Sequence, residues 1–241
     1  MAGMPRRPRH CPAGYVYHVL NRSAGRIALF RGEQDYAAME RVLLAAKARV
    51  DLPLLAWCFM KNHWHFVVQP KTDTQVTDFF RWLAHTHAMR WRVARATVGW
   101  GHLYQGRFKS FPVQGPNGTG RGGRHLLTVC RYVQRNALAA GVVTRAEAWR
   151  WGSLWVEEYG SAELQALLAP WPVARPRNWL ALVNAALTTK ELARVRLSVA
   201  RGQPYGEGSW VEQTVRALGL EHTVRPEGRP RRASQEARHE N

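Results

Sequence analysis

The sequence predicts an α+β domain with a ferredoxin-like antiparallel sheet and helices on one face, followed by a helical, basic C-terminal extension. Two features predict this class. Short runs in which apolar and polar residues alternate have the length of strands, and longer segments with apolar residues at every third or fourth position have the period of helices. These segments follow the order strand, helix, strand, strand, helix, strand, helix, which suits a sheet covered by helices.

The first strand and the first helix lie before residue 51. Apolar and polar residues alternate over 15–21, which predicts a strand. In 33–50 the apolar residues recur at intervals of three and four, so we expect a helix with one buried side, formed by Tyr36, Met39, Leu43, Ala46 and Val50.

The next two strands are predicted to form a hairpin. Residues 54–60 are a short apolar run, and Lys61-Asn62 links this run to the alternating segment 63–68. Because side chains two apart on a strand point to the same face, one face should carry Trp64, Phe66 and Val68, and the opposite face His63, His65 and Val67.

A second helix and a fourth strand follow the hairpin. Thr72-Asp73-Thr74-Gln75 has the pattern of a capping box, so we expect a helix that starts there and continues to about Thr97. A basic and aromatic segment that begins at His102 runs into a predicted strand over 108–113.

The last helix of the domain follows a loop, 115–123, that contains five glycines. The helix is expected over 124–140, with Gly141 placed to end it. Its predicted buried side consists of Leu126, Cys130, Val133 and Ala137.

Helix start signals and proline-rich segments organise the region after residue 152. Ser161 can cap a short helix that runs to about Leu168, and 170–176 reads as a linker. Capping boxes at 188–191 and 209–212 each predict a further helix. We therefore expect a domain over 1–152 and a helical basic region over 153–241, with a disordered tail from about 225.

The charge of the chain indicates a polyanionic partner. The 241 residues include 35 Lys and Arg against 17 Asp and Glu, which gives a formal net charge of +18. Such an excess favours nucleic acid, because binding releases the condensed counterions of the phosphates. A GC-rich genome would explain why Arg outnumbers Lys, but it does not explain twice as many bases as acids.

The cysteines and the apolar runs restrict the cellular location. Cys11, Cys58 and Cys130 are an odd, widely spaced set without a Cys-x-x-Cys pair, which argues against a disulfide framework and against a cysteine zinc site. The N-terminus lacks the apolar core of a signal peptide, and no run of 18 apolar residues occurs. We expect a cytoplasmic protein with no membrane segment.

Two short patterns carry the candidate chemistry. His63 and His65 share a strand face and could hold a divalent ion, although a lone His-x-His pair is more often packed or at the surface. Tyr132 and Asn136 lie one turn apart on the predicted last helix. A phenol can attack a phosphate whose charge a metal withdraws, and an amide oxygen can bind the same ion; the alternative is an ordinary packed Tyr and an exposed Asn.

Together these patterns resemble the REP-associated tyrosine transposases, a family of single-tyrosine HUH nucleases. The resemblance covers nearly all of the chain. It rests on Arg6-Arg7-Pro8-Arg9, Tyr17-His18-Val19, Asn21-Arg22, Asp35-Tyr36, Lys61-Asn62-His63-Trp64-His65, the segment 101–110 (GHLYQGRFKS), residues 132–143, Arg201-Gly202-Gln203-Pro204-Tyr205-Gly206 and Gly228-Arg229-Pro230.

The resemblance implies an enzyme that cleaves and rejoins single-stranded DNA at or near palindromic hairpins. Tyr132 would form a covalent 5′-phosphotyrosine, and His63, His65 and Asn136 would hold Mg²⁺ or Mn²⁺. The family also suggests a monomer. The alternative is a hairpin-DNA-binding protein with a weak or inactive site. A zinc nucleobase deaminase is disfavoured because neither His-x-Glu nor Pro-Cys-x-x-Cys is present.

Cationic and aromatic residues are the candidates for DNA contact, because cations bind phosphates and rings stack on unpaired bases. The N-terminal group Arg6, Arg7 and Arg9 could enter a groove or equally be a solvated tail. The C-terminal group Arg194, Arg196 and Arg201 could grip hairpin DNA, although a solvated basic face is nearly as good an explanation. The predicted DNA-binding residues are Arg6, Arg7, Arg9, His102, Tyr104, Arg107, Lys109, Arg131, Arg135 and Arg201.

Overall fold

The fold is described from a computed structural model of the chain, over residues 10–116 and 123–225. Three predicted features lie outside these residues: the arginine group Arg6, Arg7 and Arg9, most of the glycine loop, and the tail beyond 225.

Four antiparallel strands form the central sheet. They are β1 (Val16–Arg22), β2 (Leu54–Met60), β3 (His63–Val68) and β4 (Lys109–Val113), in the order β2-β3-β1-β4 across the sheet. With α1 (Glu33–Arg49) after β1 and α2 (Gln75–Val93) after β3, this is the βαββαβ arrangement of ferredoxin-like folds. The predicted fold class and the β2–β3 hairpin are therefore confirmed.

Helices α1 and α2 cover one face of the sheet. The apolar row of β3, Trp64, Phe66 and Val68, is fully buried there. The residues predicted for the buried side of α1 pack in the same cluster, together with Phe79 and Phe80 of α2. Both helices end earlier than expected, at Arg49 and Val93, and the side chain of Gln75 accepts from the backbone N–H of Lys71 and Thr72 at the start of α2.

The opposite face is also covered, which corrects the expectation of helices on one face only. Helix α3 (Gly123–Gln134) buries Leu126, Val129, Cys130 and Val133 against the second side of the sheet. All seven residues of β2 are buried, because both faces of this strand are covered. An uninterrupted apolar run such as β2 is typical of a strand between two layers.

The last predicted helix of the domain is interrupted. A single helix was expected over 124–140. Helix α3 instead ends at Gln134, and a short helix, α4 (Asn136–Ala139), follows after the single residue Arg135. Gly141 follows with a φ of +69°, a left-handed conformation that glycine adopts without strain. The predicted stop at this residue is therefore confirmed.

The C-terminal region packs on the same core. Its helices are α5 (Ser153–Tyr159), α6 (Ala162–Gln165), α7 (Trp179–Asn184), α8 (Thr189–Arg201), α9 (Gly208–Leu218) and α10 (Glu221–Val224). Trp179, Val183, Val195 and Tyr205 join the cluster beneath α3. The boundary expected at residue 152 stays a prediction, and the helices after it share buried clusters with the sheet.

One of the two capping boxes predicted for this region forms. The Thr188 side chain accepts from the backbone N–H of Glu191, and the Glu191 carboxylate accepts from the backbone N–H of Thr188. The second box is wrong, because α9 already begins at Gly208 and Ser209 lies inside it. Glu207 is the residue before α9, two residues before the predicted cap Ser209. Its backbone N–H donates to the Gln114 side chain.

The start of α6 also follows the prediction. The Ser161 side chain accepts from the backbone N–H of Leu164, as a cap does, although the helix ends at Gln165 rather than near Leu168. All three cysteines, Cys11, Cys58 and Cys130, are buried. Within the described residues, no helix is long and apolar enough to cross a membrane.

Candidate active site

Strand register places both histidines on the sheet face that α3 covers. His65 lies opposite Leu20 of β1 and His63 lies opposite Arg22, while Trp64 and Phe66 point into the other core. His18, two residues before Leu20, shares this face. The predicted alternation of β3 therefore holds, and it turns the paired imidazoles toward the tyrosine helix.

The two imidazoles stand edge to face. Their ring centroids are 5.0 Å apart with the planes at 90°, and His65 is 3% exposed whereas His63 is half-buried. The Nδ1–H of His63 donates to Oδ1 of Asn62 at 2.8 Å, and this bond leaves the Nε2 lone pair of His63 available. Asn62 is held in this orientation because its Nδ2 donates to the carbonyl of Arg26.

Tyr132 approaches the histidines from α3. Its ring centroid lies 5.9 Å from that of His65 and 6.1 Å from that of His18, edge to face in both cases. The ring is half-buried. Its helix is held in place by buried residues of α3, among them Gln134, whose side chain forms hydrogen bonds with Ser153, Glu157 and Trp179. The structure thus brings the predicted nucleophile close to the paired histidines.

Burial controls the protonation of these groups. It lowers the pKa of His63 to about 4, with a smaller contribution from the Arg22 guanidinium, and it lowers the pKa of His65 well below 6.5. Both imidazoles are therefore neutral at pH 7, as metal ligands must be. Burial raises the pKa of the Tyr132 phenol, while Arg196 and Arg22 oppose this shift. The phenol is protonated at neutral pH.

Asn136 has an amide atom without a partner. It opens α4, is half-buried, and its Nδ2 is buried with no hydrogen bond to any described residue. An amide can turn so that either its oxygen or its nitrogen occupies that position. This unpaired amide end is consistent with the ligand role that was predicted for Asn136.

The predicted metal ligands are two imidazoles and one amide. Over 10–116 and 123–225, no three His, Cys, Asp or Glu side chains are grouped to hold a metal. The predicted set of two neutral imidazoles and one amide oxygen would leave further positions on an ion to water and phosphate oxygens.

A cationic cleft opens beside Tyr132. Its volume is about 520 Å³, and Arg22, Arg107, Lys109 and Arg196 line it together with the tyrosine. Arg196 comes from α8, so the C-terminal region forms one wall of the cleft. Several positive charges thus surround the Tyr132 phenol, a group that could attack a phosphate.

A second cavity adjoins the first. Asn21, Gln105 and Arg107 line both of them, so the two spaces meet along this segment. The second cavity has a volume of about 860 Å³, and its apolar lining includes Phe80, Ala84 and Phe108, with His85 and His102 exposed beside them. Apolar surface beside cations is suited to unpaired bases attached to phosphates.

The predicted DNA-binding residues of the 102–109 segment differ in their exposure to solvent. Arg107, Lys109 and His102 are exposed and line the two cavities. Tyr104, in contrast, is 6% exposed, and its hydroxyl accepts from Trp64 Nε1 at 3.0 Å and bonds to Nδ1 of His87 at 2.6 Å. Tyr104 is largely internal, because its hydroxyl and most of its ring are used inside the protein, and it also borders the second cavity.

Arg131 and Arg201 hold the protein's own backbone. Arg131 donates to the carbonyls of Ala185 and Ala186, and Arg201 donates to those of Thr223 and Arg225. We therefore assign these two residues to the folding of the C-terminal region. Arg135 is half-buried, and burial together with Arg131 lowers its pKa.

Sequence reasoning did not assign site roles to His18 and Arg22, and it considered Arg196 only as part of a C-terminal basic face that could grip hairpin DNA. Strand alternation could have found the first two, because His18, Leu20 and Arg22 share a face of β1. Arg196 had no local signal, because its position in the cleft depends on how α8 packs against the sheet.

The sheet, its paired histidines and the helix tyrosine all lie in the part of the chain that a transposase family model matches. The IS200-like transposase family model matches residues 13–136, and the chain belongs to this family. Its fold is similar to that of the REP-associated tyrosine transposase solved with a REP hairpin, at 15% identity and a TM-score of 0.50, covering 77% of this chain and 96% of that one.

A second similar structure is that of a proposed transposase from Deinococcus radiodurans R1. The identity is 17% and the TM-score 0.34, with 46% of this chain and 85% of that chain covered. No curated protein matches the sequence.

Proposed function

We propose that this protein cleaves and rejoins single-stranded DNA at palindromic hairpins, with Tyr132 as the nucleophile. The observation that carries the proposal is the position of the Tyr132 ring, 5.9 Å from that of His65 and in a cleft lined by cations. Membership of the IS200-like family supports the reaction class. The hairpin substrate is supported by the similarity to a transposase solved with a REP hairpin.

In the proposed reaction the Tyr132 oxygen attacks a DNA phosphorus. A bond forms between this oxygen and phosphorus, the bond from phosphorus to the 3′-oxygen breaks, and the phenol proton is released as the leaving 3′-oxygen gains one. The product is a 5′-phosphotyrosine and a free 3′-hydroxyl. A later 3′-hydroxyl attacks the same phosphorus and restores the phenol, so rejoining requires no ATP.

His63, His65 and Asn136 would hold the divalent ion, Mg²⁺ or Mn²⁺. When bound, such an ion withdraws charge from the scissile phosphate. The protein's own part is to keep both imidazoles neutral by burial and to orient His63 through Asn62. Arg22 and Arg196 favour the charged form of the phenol and oppose the effect of its burial.

The DNA strand would lie along both cavities. Lys109, Arg107 and Arg196 would bind phosphates beside Tyr132, and His102 would border the apolar cavity where unpaired bases fit. Tyr132 and the histidines belong to one chain, so a monomer can hold a complete site.

The test is the formation of a covalent adduct on labelled hairpin DNA with Mg²⁺ or Mn²⁺. We expect the wild-type protein to form it, EDTA to prevent it, and Tyr132→Phe to abolish it. Tyr159→Phe is the matched control, because Tyr159 is exposed on α5 and distant in sequence from the site. A wild-type protein that binds the hairpin equally with EDTA and never forms an adduct would be a binding protein instead. An adduct in the Tyr132→Phe protein would reassign the nucleophile.

A further inference from the structure

His18 is a buried histidine that the proposed reaction does not use. It is fully buried on β1, and its Nε2 lies 2.8 Å from Nδ1 of His65. The two rings are nearly parallel, at 18°, with centroids 5.0 Å apart. Its second ring nitrogen, Nδ1, is buried and has no hydrogen bond to any described residue.

This bond has two forms, because each neutral imidazole carries one proton. If His18 donates, His65 is protonated at Nε2 and this nitrogen has no lone pair to offer. If His65 donates from Nδ1, its Nε2 has a free lone pair and His18 is protonated at Nδ1. Only the second form makes His65 a ligand through Nε2.

We propose that His18 is a positioning residue that holds His65 in the form with an unprotonated Nε2. The proposal rests on the proposed function in one respect, namely that His65 binds the divalent ion. A second residue that accepts the N–H of a ligating imidazole fixes both its tautomer and its orientation. Asn62 does this for His63, and His18 does it for His65.

The surroundings of His18 favour this role over simple packing. Its ring stands edge to face with Phe111 and Tyr132, and the cluster around it is apolar. An apolar side chain would fill this volume without leaving a ring nitrogen unpaired, which is unfavourable in a buried site. What an apolar residue could not supply is an acceptor for Nδ1 of His65.

The test compares Mn²⁺ binding of the full chain, without DNA, in wild type, His18→Gln and His18→Leu by calorimetry. Gln offers an acceptor oxygen in place of the imidazole nitrogen, whereas Leu offers none. We expect His18→Leu to weaken Mn²⁺ binding by about 10- to 100-fold and His18→Gln to retain most of it. His18→Met replaces His18→Leu if the latter does not fold, since Met adapts to irregular volumes.

Nitrogen-15 correlation spectra of the metal-free protein give an independent readout. We expect His65 of the wild type to be protonated at Nδ1 and unprotonated at Nε2. Protonation at Nε2, or equal Mn²⁺ affinity in the wild type and the apolar variant, would overturn the role of His18. A wild-type protein that binds no Mn²⁺ while its spectra show the expected form would contradict the proposed metal site and support the His18–His65 bond.

Discussion

Tyr132 illustrates how a single residue acquires its chemistry from its surroundings. Burial raises the pKa of its phenol, which makes the attacking phenolate scarce, and the cations Arg196 and Arg22 act in the opposite direction. Arg196 is exposed on α8 and lines the cleft. The reactivity of the nucleophile should therefore depend on a residue from the C-terminal region.

Replacement of Arg196 tests this dependence. We expect Arg196→Gln to slow single-turnover cleavage by about three- to tenfold between pH 7 and 9, because loss of the cation raises the phenol pKa and so lowers the fraction of phenolate. The rate should rise with pH in both proteins as the phenolate fraction grows. Lys190→Gln is the control, since Lys190 is exposed in the first turn of α8 and outside the cleft. Equal rates for Arg196→Gln and wild type would remove Arg196 from the site.

At the scale of elements, α8 links the C-terminal region to the cleft. Its Val195 is buried against the sheet, and Arg196, the next residue, lines the cleft. The helix starts with the Thr188–Glu191 capping box, which satisfies backbone donors that the first turn leaves unpaired. The sequence pattern predicts the same kind of box at Ser209, where the structure has none.

Thr188 and Ser209 therefore make a matched pair. Thr188→Ala should lower the free energy of unfolding by about 1 kcal/mol, because it removes a cap. Ser209→Ala should change it by less than about 0.5 kcal/mol, because Ser209 is exposed inside α9 and Ala is a better helix former. Urea unfolding followed by tryptophan fluorescence measures both values. A loss at Ser209 as large as that at Thr188 would contradict the assigned helix start.

At the scale of the whole molecule, part of the net charge of +18 lies at the two cavities. Cations line the cleft at Tyr132, and Arg107 lies where the two cavities meet. Binding of DNA at these cavities should release counterions in proportion to the number of phosphates contacted.

Salt dependence measures this number. We expect hairpin affinity to fall steeply with salt, and Arg107→Gln and Lys109→Gln each to reduce the slope of log affinity against log salt by about one. Arg41→Gln is the control, because Arg41 is exposed on α1, outside both cavities. Fluorescence anisotropy over a range of salt concentrations gives the slopes. Equal slopes in all four proteins would exclude the cavities as the DNA path.

Buried histidines should make the fold sensitive to acid. Burial lowers the pKa of His87 to about 4, whereas an unfolded chain takes up the proton near pH 6.5. The unfolded state therefore binds protons first, and stability falls as the pH drops from 6.5 to 4, by an amount on the order of 3 kcal/mol for this residue. His18 and His63 act in the same direction.

Urea unfolding between pH 7 and 4 tests this expectation. His87→Asn should reduce the pH dependence of the unfolding free energy in that range, even though loss of the bond to Tyr104 lowers stability at pH 7. His85→Asn, at an exposed position on the same helix, should leave the pH dependence unchanged. Parallel curves for wild type and His87→Asn would show that this histidine contributes nothing.

Local pattern was sufficient to predict most of the core elements. The residues expected on the buried sides of α1 and α3 pack inside, and the alternation of β3 separates Trp64 from His63 as predicted. Period and alternation are properties of neighbouring residues, which the chain shows directly. Short helices such as α5 and α7 were missed. Each spans no more than about two helical turns, which is too short for a repeating apolar pattern to stand out.

The sequence by itself determined the antiparallel α+β class, the hairpin that presents His63 and His65, and the helical position of Tyr132 after the fourth strand. Only the tertiary structure decided that α3 covers the histidine face, that Tyr104 is internal, and that α8 brings Arg196 to the cleft. The physical reason is that these contacts join distant segments. They depend on which faces pack together, and no local pattern specifies that choice.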